Sequence, residues 1–367
     1  MISLYIHIPF CRKKCFYCSF VVAIGQDRRI DEYLDCLSLE AERYRGALVR
    51  TVHLGGGTPT HLNSAQLKKL FMMLKKKFRF TTNCEMTVEA NPESLDFDKA
   101  ELLNEFGVNR ISLGIQTLND RYLKYLGRCH DSRRASTAFS DLRRAGFQNI
   151  NVDLMYSFPG QTDEEIKTDV VSLTDLGSEH LSLYTLTIEE NSRFYTKNVK
   201  LAATQTQARQ YELVAHLLEQ TSFQQYEISN FARPRRESSH NLNYWQGGNY
   251  VGLGVSAHSH HNGVRCWNVA RVSDYMSRIK DHQNPAEGEE KLSARQRFME
   301  ILLFGLRMNQ GVKIPEIKQK WADQFSPEVE EKIHALTAGG FLRRENDYLK
   351  ATAKGRLVLD EISAQLI

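Results

Sequence analysis

The chain holds 367 residues, 41% of them hydrophobic and 25% charged, with a formal charge of +4. That length suits one large domain of roughly 250 residues plus a smaller appendage, and so mild a charge neither demands nor forbids nucleic acid or a membrane surface as partner. No apolar run of about 18 residues occurs, MISLYIHIPF has neither the charged region nor the long apolar stretch of a signal peptide, and seven scattered cysteines do not make a secreted disulfide framework; a cytoplasmic chain with reduced thiols is expected.

In chain order, strand patterns fall at 3–9, 49–54, 84–90, 109–116, 149–156 and 179–186, each alternating or apolar over a short span. Each is followed by a helical pattern: RIDEYLDCLSLEAERY, SAQLKKLFMMLKKKF, DKAELLNEFG, SRRASTAFSDLRRAG, DEEIKTDVVSLTDLG and ARQYELVAHLLEQ. Several stop at a glycine, such as Gly107, Gly146 and Gly177. Six βα units in a row predict an α/β fold with a parallel sheet, either open or a partial (β/α)6 barrel of TIM type, since no further pair of units closes an eightfold ring.

The unusual residues gather at the carboxyl ends of these strands. Cys11, Cys15 and Cys18 follow the first, GGGTPT (55–60) the second, Glu89 ends the third, Gln116 ends the fourth, and Asp153 lies in the fifth. Parallel α/β folds place ligands on that edge. Three thiolates in one loop could hold zinc, but zinc needs a fourth ligand and no second CxxC pair follows; a redox dithiol favours a single CxxC. An iron–sulfur cluster held by three cysteines keeps one iron open to a non-protein ligand. Cys36, Cys84, Cys129 and Cys266 stand alone and read as core residues.

Beyond the sixth unit, SSHNLNYWQGGNYVGLGVSAHS (238–259) reads as a loop rich in Asn and Gly. His260 and His261 read as exposed, while His258 stays undecided between exposure and a ligand role. From 291 onward a long helix, further short helices and two strand patterns around Glu345-Asn346-Asp347 predict a winged-helix-like module. Such modules often bind DNA, but no concentrated recognition-helix patch is apparent and acidic residues are mixed with Arg343, Arg344, Lys350, Lys354 and Arg356. The basic stretch LKKLFMMLKKKFRF (67–80) reads as a solvated face, with peripheral membrane contact as the alternative.

The CxxxCxxC loop, the glycine-rich turn after the second strand and the six units resemble the radical S-adenosylmethionine (SAM) superfamily. YIHIPFC, HLGGGTPT, VEANPE, GIQTLNDRYLKYLGRCH and DLMYSFPGQT extend the resemblance to the oxygen-independent coproporphyrinogen oxidase group along nearly the whole chain. The resemblance implies a [4Fe-4S] cluster on Cys11, Cys15 and Cys18, whose open iron is chelated by SAM. It implies that Tyr5 and Tyr17 lie near the adenine or cluster, that Gly56, Gly57 and Thr58 meet the methionine end, and that Glu89, Gln116, Arg128 and Asp153 hold SAM's polar parts. True coproporphyrinogen oxidases of the group carry an N-terminal extension and a fourth cysteine two residues after the third; here Phe20 stands at that position. His-Asn-x-x-Tyr-Trp at 240–245 matches instead the group's heme chaperone branch, which implies heme as cargo, His240 as an axial ligand beside Tyr244 and Trp245, recipient hemoproteins, and an electron donor for the cluster. For the C-terminal module the resemblance implies a cover over the barrel mouth or a docking surface, with no nucleic acid. A homodimer is compatible with this reading. A radical SAM oxidase, methyltransferase or cyclopropanase is the second reading, and a nucleic-acid-binding regulator a remote third. The expected divisions are a barrel at 1–225, a heme-binding loop region and connection at 226–290, and the winged-helix-like domain at 291–367.

Overall fold

Polar and apolar side chains alternate along the central strands, and the polar ones share a face. In β1 (Ile2–Ile8), Leu4, Ile6 and Ile8 are buried on one side while Ser3, Tyr5 and His7 occupy the other. After a short parallel pair, β2 (Phe10–Cys11) with β3 (Ala23–Ile24), the pattern recurs in β4 (Leu48–Gly56), β5 (Arg79–Ala90), β6 (Arg110–Gln116), β7 (Ile150–Tyr156) and β8 (His180–Thr185). Parallel pairing sets Tyr5 against His53, Glu89 against Ser112 and Asp153 against Ser182, so the polar residues form continuous rows. Strands covered by helices on both faces read as unbroken apolar runs. Here the helices cover only the outer face.

The computed structural model describes residues 1–367. Helices Ile30–Ala41, Ser64–Lys77, Phe97–Glu105, Ser132–Arg144, Asp163–Asp175 and Thr204–Glu219 follow the six strands, as their periodicity predicts. Their starts are chemically marked: Asn63 with Gln66 and Thr162 with Glu165 form capping boxes. Their apolar stripes and the outer sheet face form a core of 59 buried residues.

The segment 226–290 holds far more regular structure than its turn-rich sequence indicates. With β9 (Gln224–Gln225), strands β10 (Asn230–Ala232), β11 (Tyr250–Leu253), β12 (His258–His261), β13 (Val264–Asn268) and β14 (Ala286–Lys291) extend the sheet at both ends, giving 12 strands in the order β14-β13-β12-β11-β1-β4-β5-β6-β7-β8-β10-β9. β11 lies parallel to β1, and β12 to β14 continue as antiparallel hairpins. The sheet ends on unpaired strands, so it remains a partial barrel.

Helix Ala294–Arg307 opens a second unit with its own core of 17 buried residues. It is followed by β15 (Val312–Lys313), helices Ile314–Lys320 and Pro327–Ala338, then β16 (Leu342–Glu345) and β17 (Tyr348–Ala351), in a sheet ordered β15-β17-β16. That is winged-helix order. The helix in the recognition position, Pro327–Ala338, carries Glu328, Glu330 and Glu331, of which Glu330 pairs with Lys318 and Arg344 and Glu328 with Lys332. Helices Ala353–Leu357 and Leu359–Leu366 close the chain and lean over the barrel mouth.

Candidate functional site

The polar inner face opens at the carboxyl edge into a cavity of about 810 Å3, lined by Cys11, Cys15, Cys18, Tyr17, Gly56, Gly57, Thr58, Glu89, Gln116, Arg128 and Asp153 among others. Every residue assigned to cluster or SAM therefore meets in one place, except Tyr5. Its ring lies instead on the wall of a neighbouring cavity, with its hydroxyl 3.1 Å from His7 Nδ1 and its ring 6.1 Å from that of His53.

The cysteine loop is pinned from several sides. Cys11 Sγ lies 3.2 Å from Thr58 Oγ1, the Phe16 amide donates to the Leu126 carbonyl, and the Cys18 amide donates to the Cys15 carbonyl. Burial pushes the Cys11 thiol up to about 12 and raises that of Cys18, so a cationic iron is what would draw these sulfurs into the thiolate form. No three His, Cys, Asp or Glu side chains converge closely enough to hold one metal ion.

The glycine turn fits a close-approaching ligand. Gly56 has φ +102°, and a Cβ there would strike the His7 ring at 2.4 Å; a Cβ on Gly57 would meet the Pro9 backbone at 2.7 Å. Gln116, at the end of β6, holds a left-handed φ of 72°, a strained conformation that turns its amide into the cavity. Arg128 is buried: it donates to Cys15 Sγ at 3.3 Å, Asn91 Oδ1 at 2.6 Å and the Gly114 carbonyl at 2.7 Å, while its Nε lacks a partner. The guanidinium thus faces the cluster loop and keeps one donor for a further acceptor. Burial, with Glu89 nearby, raises Asp153 to about 6, and Asn151 and Ser112 donate to its oxygens. A carboxylate so placed gains from an incoming ammonium or hydroxyl. When bound, a [4Fe-4S] cluster with SAM supplies one-electron reductive cleavage of the sulfonium; these side chains would hold and orient it.

Sequence reasoning missed several lining residues. Asn91, two residues past Glu89 in VEANPE, bridges Arg128 and Thr58, and its motif was the available signal. Arg307, Arg356, Leu359 and Asp360 roof the cavity from the C-terminal module, and no local pattern announces them.

His240 is not in a loop. It lies in helix Ser239–Trp245, capped by Ser238, and is 1% exposed. Its Nδ1 is 2.8 Å from Thr51 Oγ1, its Nε2 2.9 Å from Tyr244 Oη, and its ring stacks on His53 at 5.1 Å. Burial holds its imidazole well below the usual histidine range. In this conformation His240 reaches neither cavity; it props Tyr244 from behind. Tyr244 and Trp245 do line the second cavity, of about 940 Å3, which borders the first through the shared residues Ser19 and Phe20. His258 and His261 are exposed, whereas His260, expected at the surface, is half-buried beneath Tyr250. Cys129 corrects the core expectation in the other direction and is exposed; Cys36 is buried.

Fold and site together define a radical SAM protein: residues 5–171 match the Radical SAM superfamily and 292–358 the HemN C-terminal domain. Coproporphyrinogen III oxidase (HemN) from Escherichia coli superposes with a TM-score of 0.89 at 26% identity, covering 100% of this chain and 89% of that one. The heme chaperone HemW of Bacillus subtilis is 34% identical over 371 residues, 99% of this chain and 98% of its own length, and that of Escherichia coli is 30% identical over 98% and 97%. The mitochondrial radical S-adenosyl methionine domain-containing protein 1 of Danio rerio is 30% identical over 98% of this chain and 85% of its own. The chain belongs to the HemW heme chaperone family.

Proposed function

We propose that this chain binds heme and passes it to hemoproteins, while a [4Fe-4S] cluster on Cys11, Cys15 and Cys18, chelated by SAM, occupies the adjoining cavity. The observation that carries the reading is the pairing of full-length similarity to HemW with two neighbouring cavities, one lined by the cysteine loop and one by the Tyr244–Trp245 pair. Ser19 and Phe20 belong to both walls. A change of charge on the cluster therefore has a short path to the second cavity, which makes the reducing partner a natural controller of heme release.

No helix is long and apolar enough to cross a membrane; a cytoplasmic location is part of the proposal. Peripheral membrane contact would use helix Ser64–Lys77, whose exposed Met72 lies among lysines, and a homodimer is proposed only as compatible. The test of function is transfer. Hemin-loaded protein, with the cluster reconstituted and then reduced, is mixed with apomyoglobin as a surrogate acceptor, and the acceptor's own spectrum is followed. Transfer faster than from free hemin or hemin–albumin supports the reading; absence of binding or of transfer overturns it.

The intact SAM cavity favours one additional reading, that SAM is cleaved during the cycle. Formation of 5′-deoxyadenosine under a low-potential reductant is its test.

A further inference from the structure

Three cations stand between the first two cysteines of the cluster loop, in Cys11-Arg12-Lys13-Lys14-Cys15. Two other segments are fastened to this loop. The Phe16 amide donates to the Leu126 carbonyl at the end of helix Asp120–Leu126, and the Phe194 amide of helix Arg193–Thr196 donates to the Phe16 carbonyl. Beneath all three lies a separate apolar cluster of 6 buried residues, Leu126 and Phe194 among them, with Phe16, Tyr17 and Tyr125 packed against it. The Phe194 ring sits 6.3 Å from that of Phe16 and 5.0 Å from that of Tyr125. Loop and helices therefore form one firm platform beside the cysteines.

The outer surface of this platform is cationic. Arg12, Lys13, Lys124, Arg193 and Lys197 are exposed and Lys14 is half-buried. None of them has a carboxylate within ion-pair distance, whereas Arg121 pairs with Glu165 and Arg209 with Asp163. Lys13 and Arg193 lie over the Phe16 ring, 5.2 and 4.2 Å from its centroid, and Lys14 donates to the Asn191 carbonyl. The nearest acids along the chain are Asp120, which accepts from the Ser132 amide, and the exposed Glu189 and Glu190. In a chain of formal charge +4, so many unmatched cations around one loop create a local field that attracts an acidic surface and speeds its encounter.

The position of the field selects the kind of partner. Its cations are chain neighbours of Cys11 and Cys15, and Arg128, four residues past Lys124, donates to Cys15 Sγ at 3.3 Å. Other approaches to the loop are taken: Arg356 and Asp360 roof its cavity, and Ser19 and Phe20 wall the second cavity. Electron transfer slows steeply with separation, so a carrier gains most by docking at the loop itself. Such encounters use small, weak interfaces assembled by charge steering.

We propose that this cationic platform is the docking face for the cluster's reductant, a protein electron carrier with an acidic surface around a flavin or iron–sulfur centre. One electron leaves the carrier, which is oxidised by one equivalent, and the cluster is reduced from its 2+ to its 1+ state; no bond forms or breaks. The inference rests on the cluster reading above and specifies where the reducing partner meets the chain.

The probe is an acidic [2Fe-2S] ferredoxin, photoreduced without oxygen, with dithionite as the small reductant. Its association with the reconstituted chain is measured by calorimetry at low and high salt, and cluster reduction is followed by stopped-flow absorbance and spin resonance. Two double variants reverse charge on the platform: Lys13→Glu with Arg193→Glu beside the Phe16 ring, and Lys124→Glu with Lys197→Glu on the flanking helices. Lys68→Glu with Lys76→Glu, on helix Ser64–Lys77, makes the same change of net charge away from the loop. Both platform variants are expected to lower association and the ferredoxin-driven rate about tenfold or more at low salt, with a smaller loss at high salt. Iron content, melting temperature and the dithionite-driven rate should match the unmodified chain, as should everything in the control variant. If the unmodified chain holds no reducible cluster, the cluster reading itself falls. If dithionite reduces the cluster but the platform variants accept electrons from ferredoxin as fast as the unmodified chain, or the control variant slows equally, docking here is overturned while the cluster reading stands. Slower dithionite reduction in both platform variants would locate the effect in the cluster and likewise overturn docking. So would absence of ferredoxin association at low salt, including the case where polyuridylate binds the platform instead.

Discussion

The Arg307 guanidinium lies over the Trp245 ring, 4.5 Å from its centroid, and reaches Glu227 Oε2 at 3.9 Å. One arginine of the C-terminal module thereby touches a wall residue of the second cavity and lines the first. Glu227 is 0% exposed, and burial raises its carboxyl above the usual range despite hydrogen bonds from Asn230 and the Ser229 amide. Arg307→Ala leaves that carboxylate without its cation, at an expected cost of about 2 kcal/mol. Adding Glu227→Gln should recover most of the loss. Urea unfolding of the two variants is the measurement, and a double variant no better than the single one would mean that the pair is not coupled.

The cluster assignment predicts which cysteines matter. Anaerobic reconstitution should give about four irons per chain, and replacing Cys11, Cys15 or Cys18 by alanine should abolish the spin-resonance signal of the reduced form. Cys129 is exposed and follows Arg128 directly, which makes it the sharpest control: Cys129→Ala should keep iron content and signal intact. A signal that survives loss of Cys15 would sink the assignment.

Asp153 gives a pH signature. Its folded pKa of about 6 lies above the unfolded value of about 4. Between those values the native state holds a proton that the unfolded chain releases, so stability falls as pH rises through the window and is flat beyond it. Asp153→Asn keeps an acceptor for Asn151 and removes the charge. It should stabilise the cofactor-free protein by about 1–2 kcal/mol at pH 8 and by nothing at pH 4, read by denaturant melts at both pH values. An equal gain at both would show that charge is not the cause.

Coproporphyrinogen III is expected to be a poor substrate. Phe20, 62% exposed, stands where a further cysteine is expected in the oxidases and fills the wall between the two cavities. With an intact cluster, SAM and a low-potential reductant, the reconstituted chain should produce no protoporphyrinogen IX by liquid chromatography; removal of both propionate carboxyl groups under these conditions would contradict the chaperone reading.

The six βα units and the cluster cavity were legible because their signals are local. Strand alternation, capping residues and the 11-15-18 cysteine spacing each sit within a few positions of one another. His240 was not legible in the same way. A Ser238 cap and seven residues are a faint helix signal, and what buries the ring is Thr51, 189 positions away, with Glu85 accepting from the His240 amide. Tyr5 lines the second cavity for a related reason. Its place on the inner face follows from alternation, but the cavity it joins depends on β11 pairing beside β1, a contact between segments far apart in the chain, such as Ser3 and Tyr250. The roof residues Arg356 and Asp360 belong to a separate core and meet the cysteines only through docking of two units.

The cysteines that would hold the cluster lie between positions 11 and 18, and the helices that roof them span Ala353–Leu357 and Leu359–Leu366. During synthesis the ligand loop leaves the ribosome well before its roof. For the whole interval between, Arg356, Leu357, Leu359, Asp360 and Glu361 are missing from the cavity wall. Once the final helices dock, they complete that wall. The order of the chain thus separates the making of the cysteine loop from the making of the helices that line the same cavity.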